Sequence, residues 1–360
     1  MSFLSPRRAK RAAAALAGIA IAAVALTACA GGTTEGAPAD EASAGAAEGF
    51  GEITLQLSWI FNEEFAGEYL ATENGYYEEA GFDAVNLVPG PSGGVPELLG
   101  GTADIALSDA VQVGAAVANE SAPLKIIGAT FQANPFTVLS LEDGGNIASP
   151  DDLKGKKIGV QDSNLTLFNA LLAANDIDAS ELTIVPVQYD PAPLVNGEVD
   201  GFIAYLTNEA ISVEMEGLAT TNLPFAENGL PFVAETVTTT DEAIANNREM
   251  LKAFLVAEIK GWTDALADPQ AGADLAIETY GVDLDLDPAK TLAGSEAQNL
   301  LVVSDETEEN GLFTISDDLQ ATTIDSLAGA GITLEASDLF DLSLLAEVYE
   351  ENPDLIAYAG

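Results

Sequence analysis

Trp59 stands three residues ahead of Asn62, so an indole face able to cover a planar molecule lies beside an amide able to hydrogen-bond its edge. Ser108-Asp109 adds a hydroxyl and a carboxylate. Asp109 either accepts an N–H from a ligand or caps the helix behind it, and the sequence leaves both open. Pro89-Gly90-Pro91-Ser92-Gly93-Gly94-Val95-Pro96 is a Gly/Pro-rich loop ahead of a short helix. Backbone N–H groups at Ser92, Gly93 and Gly94 either face a ligand or merely turn the chain. No Gly-Lys-Ser/Thr follows, so the loop is not a Walker motif. Tyr205-Leu206-Thr207-Asn208-Glu209 gathers a ring, an amide and a carboxylate within five residues. Asn208 and Glu209 either meet the amines of a heterocycle or cap the helix that follows. Gln132 with Phe131, and Gln161, Ser163 and Asn164, are further polar candidates.

These residue types suit holding a molecule more than breaking it. The chain has no histidine and a single cysteine, Cys29. That removes histidine general bases, Ser-His-Asp triads and histidine metal sites. Carboxylates and lysines keep some catalysis open. Asp283, Asp285 and Asp287 are spaced like a calcium loop, but Pro288 and Gly294 replace its required glycine and glutamate. They read as a solvated loop capping the helix at Pro288, and no metal or other cofactor is expected.

The 360 residues hold 12 Lys+Arg against 58 Asp+Glu, a net charge of −46. Such a surface repels nucleic acid and anionic lipid, so neither is an expected partner. The acids are spread along the chain, as in adaptation of a whole surface to salt. Beyond the leader only eight basic residues remain: Lys125, Lys154, Lys156, Lys157, Arg248, Lys252, Lys260 and Lys290. None falls on an expected cleft loop. An anionic solute would want positive charge there, so a neutral or amine-bearing ligand is favoured.

Positioning these residues falls to a regular rhythm. Ile53, Leu55 and Leu57 alternate with polar residues as in a strand, and a helix over 63–73 follows, capped by Asn62. Strands are expected at 82–88, 104–107, 124–129, 136–141, 157–160, 182–187 and 201–206. Helices are expected at 109–119, 163–174 and 208–217, with a helical turn at 193–197. Strands alternating with helices imply parallel α/β sheets, with ligands beyond the C-terminal strand ends. After Thr240 the pattern turns helical, over 241–267, 269–280, 288–303, 317–328 and 338–347.

The N-terminus carries Arg7, Arg8, Lys10 and Arg11, an apolar run from Ala12 to Leu26, and then Leu26-Thr27-Ala28-Cys29. This is the layout of a secretory signal, and it resembles the bacterial lipobox. The resemblance implies a leader over 1–28, lipidation of Cys29 and a membrane-anchored, extracytoplasmic chain. Residues 29–49 are small, polar and acidic and read as a tether.

Four ordered segments carry a wider resemblance. They are Leu55-Gln56-Leu57-Ser58-Trp59 through Ala66-Gly67-Glu68-Tyr69 and Asn74-Gly75-Tyr76-Tyr77-Glu78-Glu79-Ala80-Gly81; Gly100-Gly101-Thr102-Ala103-Asp104-Ile105-Ala106; Ser149-Pro150-Asp151-Asp152-Leu153-Lys154-Gly155-Lys156-Lys157-Ile158-Gly159-Val160; and Asn196-Gly197-Glu198-Val199-Asp200-Gly201-Phe202-Ile203-Ala204-Tyr205. Over roughly 50–300 the chain resembles the solute-binding proteins of ABC importers. The branch is that of thiamine-pyrimidine-precursor, riboflavin, alkanesulfonate, taurine and nitrate binders. The resemblance implies a type II periplasmic-binding fold, two α/β lobes around a cleft with a helical C-terminal part. Lobe one would span 50–136 and 232–360, and lobe two 137–231, with crossings at Asn134–Val138 and Gly229–Val233. It implies a monomer that captures a solute, foremost a thiamine pyrimidine precursor, and passes it to a membrane permease without chemistry. Asn208-Glu209 resembles that branch's Asn-Glu segment, where a carboxylate meets an aminopyrimidine. Tyr69, within the first segment, joins the candidate ligand-binding residues. Phe65 departs from the pattern, since relatives often carry a small polar or histidine side chain there. Fungal relatives make the thiamine pyrimidine by consuming their own histidine with a lysine-bound cofactor, and this chain has no histidine to offer.

Overall fold

Ten strands form two five-stranded sheets in a computed structural model that describes residues 49–90 and 92–358. The leader, Cys29, Pro91 and most of the expected tether lie outside those residues. The first sheet contains β1 (Gly51–Gln56), β2 (Phe82–Val88), β3 (Ile105–Asp109), β4 (Leu124–Phe131) and β10 (Ala234–Thr240), in the order β2-β1-β3-β10-β4. The second contains β5 (Phe136–Leu141), β6 (Lys157–Val160), β7 (Thr183–Pro186), β8 (Gly201–Tyr205) and β9 (Thr220–Pro224), in the order β7-β6-β8-β5-β9. β3 sits inside its sheet, and all five of its residues are buried.

The expectation of parallel sheets needs correction. β1 runs parallel to β2 and β3, and β6 to β7 and β8. β10 is antiparallel to β3 and β4, and β5 is antiparallel to β8 and β9. The cause is the path of the chain. It leaves the first sheet after Phe131, enters the second at Phe136, and returns from Pro224 to Ala234. Each crossing feeds a strand straight into the next sheet without a helical crossover, so the incoming strand runs against its neighbours. The two connections touch, with Asn134 Nδ2 donating to the Leu230 carbonyl at 3.0 Å.

The expected 63–73 helix opens as a tight 3-10 turn, Glu63–Phe65, capped by Asn62, before the α-helix Ala66–Glu73. This helix packs on Arg248–Ala267 at very close range. A Cβ built on Gly67 would lie 2.2 Å from the Trp262 ring, and one on Gly261 would lie 2.2 Å from the Gly67 carbonyl. Only hydrogens fit in that seam. The single helix expected over 241–267 is two, Asp241–Asn246 and Arg248–Ala267, divided at Asn247. The expected 269–280 helix changes pitch after Leu275 and ends in a π turn, Ala276–Tyr280. The last long helix is Ser343–Glu351 rather than 338–347, because Phe340 leaves the preceding turn to bridge Ile126 of β4.

Candidate functional site

The two sheets present their strand ends to a common cavity of about 470 Å³, counting its mouth. The parallel strands β1, β3, β6 and β8 point their C-terminal ends at it. β10 and β5, running the other way, bring their first residues to the same edge. Ser58, Trp59, Ser108 and Asp109 come from the first sheet's edge, with Glu235 from the start of β10. Phe136, Ile203, Ala204, Tyr205 and Glu209 face them from the second sheet, with Gln161, Ser163 and Asn164 behind β6.

Four carboxyl groups line this space: Glu64, Asp109, Glu209 and Glu235. No lysine or arginine is among the described lining residues. Asp109 ends β3 and caps the helix Ala110–Glu120. Its Oδ1 accepts from the Val111 and Gln112 backbone N–H groups at 2.8 and 2.9 Å, and its Oδ2 from Gln112 Nε2 at 2.6 Å. Asp109 is therefore a helix cap that also lines the cavity. Burial raises its carboxyl above the usual range, against the pull of the Gln112 donors.

Glu235 occupies a bulge in β10, where pairing with β3 shifts between Ala234 and Thr236. Its φ of 46° is left-handed, an uncommon and strained setting for a glutamate. Its carboxylate accepts Ser58 Oγ at 3.0 and 2.9 Å and the Tyr205 hydroxyl at 3.1 Å. The Tyr205 bond joins the two sheets. Burial pushes the Glu235 carboxyl up to about 7. Phe136 meets the Tyr205 ring edge-on, with centroids 4.5 Å apart, and holds it across the cavity.

Glu209 opens the helix Glu209–Met215, and its Oε2 accepts the Tyr205 backbone N–H at 2.9 Å. Burial raises its carboxyl, while that bond and Lys290 lower it. Glu64 accepts Asn62 Nδ2 at 3.2 Å and Asn208 Nδ2 at 3.0 Å. Burial raises it first, followed by repulsion from Glu235, Glu209 and Glu63.

The expected site residues fall into three groups. Trp59, Ser92, Asp109, Tyr205 and Glu209 line the cavity. Asn62 and Asn208 stand behind it and clasp Glu64 from opposite sheets. Tyr69 and Gln132 lie elsewhere. Tyr69 is fully buried, stacked on Tyr280 with centroids 4.1 Å apart, and donates to the Asn62 carbonyl at 2.9 Å. Gln132 spends its amide on the Thr314 carbonyl at 3.0 Å, tying β4 to a distant turn.

The glycine loop is not a row of bare donors. The Gly94 N–H goes to Ser92 Oγ at 3.2 Å, and the Gly93 carbonyl accepts Ser108 Oγ at 2.6 Å. Gly94 is required, since its φ is 72° and a Cβ there would lie 2.4 Å from the Ala106 side chain. Gln161 donates to the Ile203 carbonyl at 3.0 Å and Asn164 donates to Gln161 at 3.1 Å. Ser163 Oγ has no partner among the described residues.

Sequence reasoning missed Glu64, Gln112, Glu235 and Lys290. None of the eight basic residues lines the cavity, but Lys290, from the helix Pro288–Val302, reaches the layer behind it. Lys290 Nζ donates to Glu63 at 2.6 Å and to Asn208, just behind the cavity wall. Asp287 caps the helix Pro288–Val302 by accepting the Lys290 backbone N–H at 2.9 Å, which fixes where that lysine starts.

Residues 62–272 match the family model described as NMT1/THI5 like. The chain belongs to the NMT1/THI5-like family. A riboflavin-binding protein of Chloroflexus aurantiacus is 26% identical over 238 residues, covering 63% of this chain and 66% of that one. A 4-amino-5-hydroxymethyl-2-methylpyrimidine phosphate synthase of Schizosaccharomyces pombe is 28% identical, over 61% and 66%. A formylaminopyrimidine-binding protein of Halalkalibacterium halodurans is 24% identical, over 62% and 69%. The chain thus spans about two thirds of the length of these relatives. Among solved structures, the periplasmic nitrate-binding protein of Synechocystis PCC 6803 superposes with a TM-score of 0.59 at 14% identity, over 86% of this chain and 91% of that one. This NMT1/THI5-like chain therefore has the periplasmic-binding-protein fold, a mixed α/β architecture.

Proposed function

We propose that the chain is the extracytoplasmic solute-binding component of an ABC importer. It captures an amine-bearing heteroaromatic nutrient of the thiamine-pyrimidine-precursor class and hands it to a membrane permease. Residues 50–136 and 232–360 then act as one lobe and 137–231 as the other, closing on the solute as a monomer, with Cys29 as the lipid anchor. The single observation that carries this reading is the cavity wall. Buried carboxyls surround an aromatic lining of Trp59, Phe136 and Tyr205, with no cation among the described lining residues. An exocyclic amine brings N–H donors, which the carboxylate oxygens of the wall can accept. A sulfonate or nitrate brings only acceptors and negative charge, which this wall repels.

Binding without turnover fits the composition. The synthase of Schizosaccharomyces pombe is a relative by sequence, but this chain has no histidine to supply that chemistry. Riboflavin is a second reading, favoured by the name of the Chloroflexus aurantiacus relative. A thermal-shift panel separates them. 4-Amino-5-hydroxymethyl-2-methylpyrimidine at about 100 times its Kd should add about 2.7 kcal/mol of stability and raise Tm by a few degrees. Taurine and nitrate should leave Tm unchanged. Stabilisation by riboflavin alone selects the second reading, and stabilisation by an anion alone overturns both.

A further inference from the structure

The four carboxyls of the cavity do not converge on one point. Among the described residues no group of three or more His, Cys, Asp or Glu side chains is arranged to hold a metal ion. The wall therefore fits an extended ligand with separated donors rather than a bare divalent cation. One of the four is held there against its own backbone preference. Glu235 sits at φ 46° on a bulge, a device that re-aims a side chain, and it aims at the cavity. Its partners, Ser58 Oγ and the Tyr205 hydroxyl, are both neutral donors, and no described lysine or arginine forms an ion pair with it. An ionised carboxylate has about four acceptor sites, so capacity remains for a donor from the ligand. Trp59 and Tyr205 line the same cavity.

We propose that the solute is captured as a cation, with its positively charged group against Glu235, and that Glu235 sets the preference for a charged amine over a neutral group of the same size. This rests on the reading of the cavity as a heteroaromatic-solute site. A charge-assisted hydrogen bond in a desolvated pocket is roughly twice as strong as a neutral one. An ammonium also relieves the mutual repulsion of Glu64, Asp109, Glu209 and Glu235 and can lie against an aromatic face. Lys290, the basic side chain that reaches the back of the wall, is already engaged by Glu63 and Asn208. Burial holds the free Glu235 carboxyl up to about 7, so an arriving cation meets a group that ionises readily near neutrality.

The test is isothermal titration of the full chain at neutral pH with two probes that share one ring. They are 4-amino-5-aminomethyl-2-methylpyrimidine, which carries an ammonium, and its neutral 5-hydroxymethyl analogue. The wild type should bind the aminomethyl compound at least about tenfold more tightly. Glu235→Gln should bring the two affinities within about twofold of one another, chiefly by weakening the aminomethyl compound. Glu235→Asp, which keeps the charge, should retain a preference of about threefold or more, separating charge from folding. Equal affinities in the wild type, or a preference that survives Glu235→Gln, overturn the inference and leave the pyrimidine reading standing. Binding of riboflavin, taurine or nitrate with neither pyrimidine bound overturns that reading and this inference together.

Discussion

Two sets of buried acids share one problem and solve it differently. Glu68 and Glu258 lie between the helices Ala66–Glu73 and Arg248–Ala267, sealed from solvent. Trp262 Nε1 donates to Glu68 at 3.4 Å, and the Tyr77 hydroxyl donates to Glu258. Each keeps a second oxygen without a partner among the described residues. Burial raises both carboxyls, Glu258 to about 8, which favours their neutral form inside a packed core. Glu64, Asp109, Glu209 and Glu235 are as well buried but line an open space at strand ends. A carboxyl facing only core stabilises itself by keeping its proton. One facing a cavity can exchange that proton for a ligand's donor, so location rather than acidity separates a structural acid from a binding one.

The largest effect expected from breaking this comparison comes from Lys290. It compensates Glu63, which is only 1% exposed. Lys290→Met strips that partner and should cost about 3–5 kcal/mol in denaturant unfolding. A loss below about 1 kcal/mol would mean that Glu63 does not depend on Lys290 for its compensation. Trp59→Ala comes next. Removing the lining indole should weaken pyrimidine binding about 100-fold by titration calorimetry, equivalent to about 2.7 kcal/mol. Glu209→Gln should weaken it about tenfold, the value of one hydrogen bond to a charged group. Glu258→Gln should leave binding within about twofold, because its carboxyl faces no ligand. Wild-type affinity in both Trp59→Ala and Glu209→Gln would move the site elsewhere.

The smallest effect is a slope in pH. The folded Glu258 carboxyl holds its proton up to about 8, whereas in the unfolded chain it ionises near its ordinary value of 4.5. Across that window the folded state binds the extra proton, so its stabilising share is complete at the acid end and is lost as pH rises. The decline is at most about 1.4 kcal/mol per pH unit for this group. Glu258→Gln should flatten it in a Tm-against-pH series. An unchanged slope would show that Glu258 is ionised in the fold.

Much of this arrangement was readable in advance. β2, β5 and β6 carry enough alternating or continuous apolar residues to be placed to the residue, and Trp59, Asp109 and Glu209 follow strands where ligands gather. β9 and β10 were not assigned as strands, because Thr220–Pro224 and Ala234–Thr240 are rich in threonine and offer little apolar alternation. That omission concealed Glu235, whose direction depends on a bulge and a left-handed φ that no local spacing records. Lys290 escaped for a different reason. It meets Asn208 from 82 positions away, through packing of a late helix beside the helix Glu209–Met215. Tyr69 and Gln132 erred the other way, since polar tips on core side chains look like site residues until their partners are known.

The most direct measurement is a crystal structure of the chain grown with 4-amino-5-hydroxymethyl-2-methylpyrimidine. The ring should lie in the cavity against Trp59, with its exocyclic amine within about 3.2 Å of a Glu209 or Glu235 oxygen. The ring bound outside the cavity, or an anion occupying the space between those carboxyls, would contradict the account.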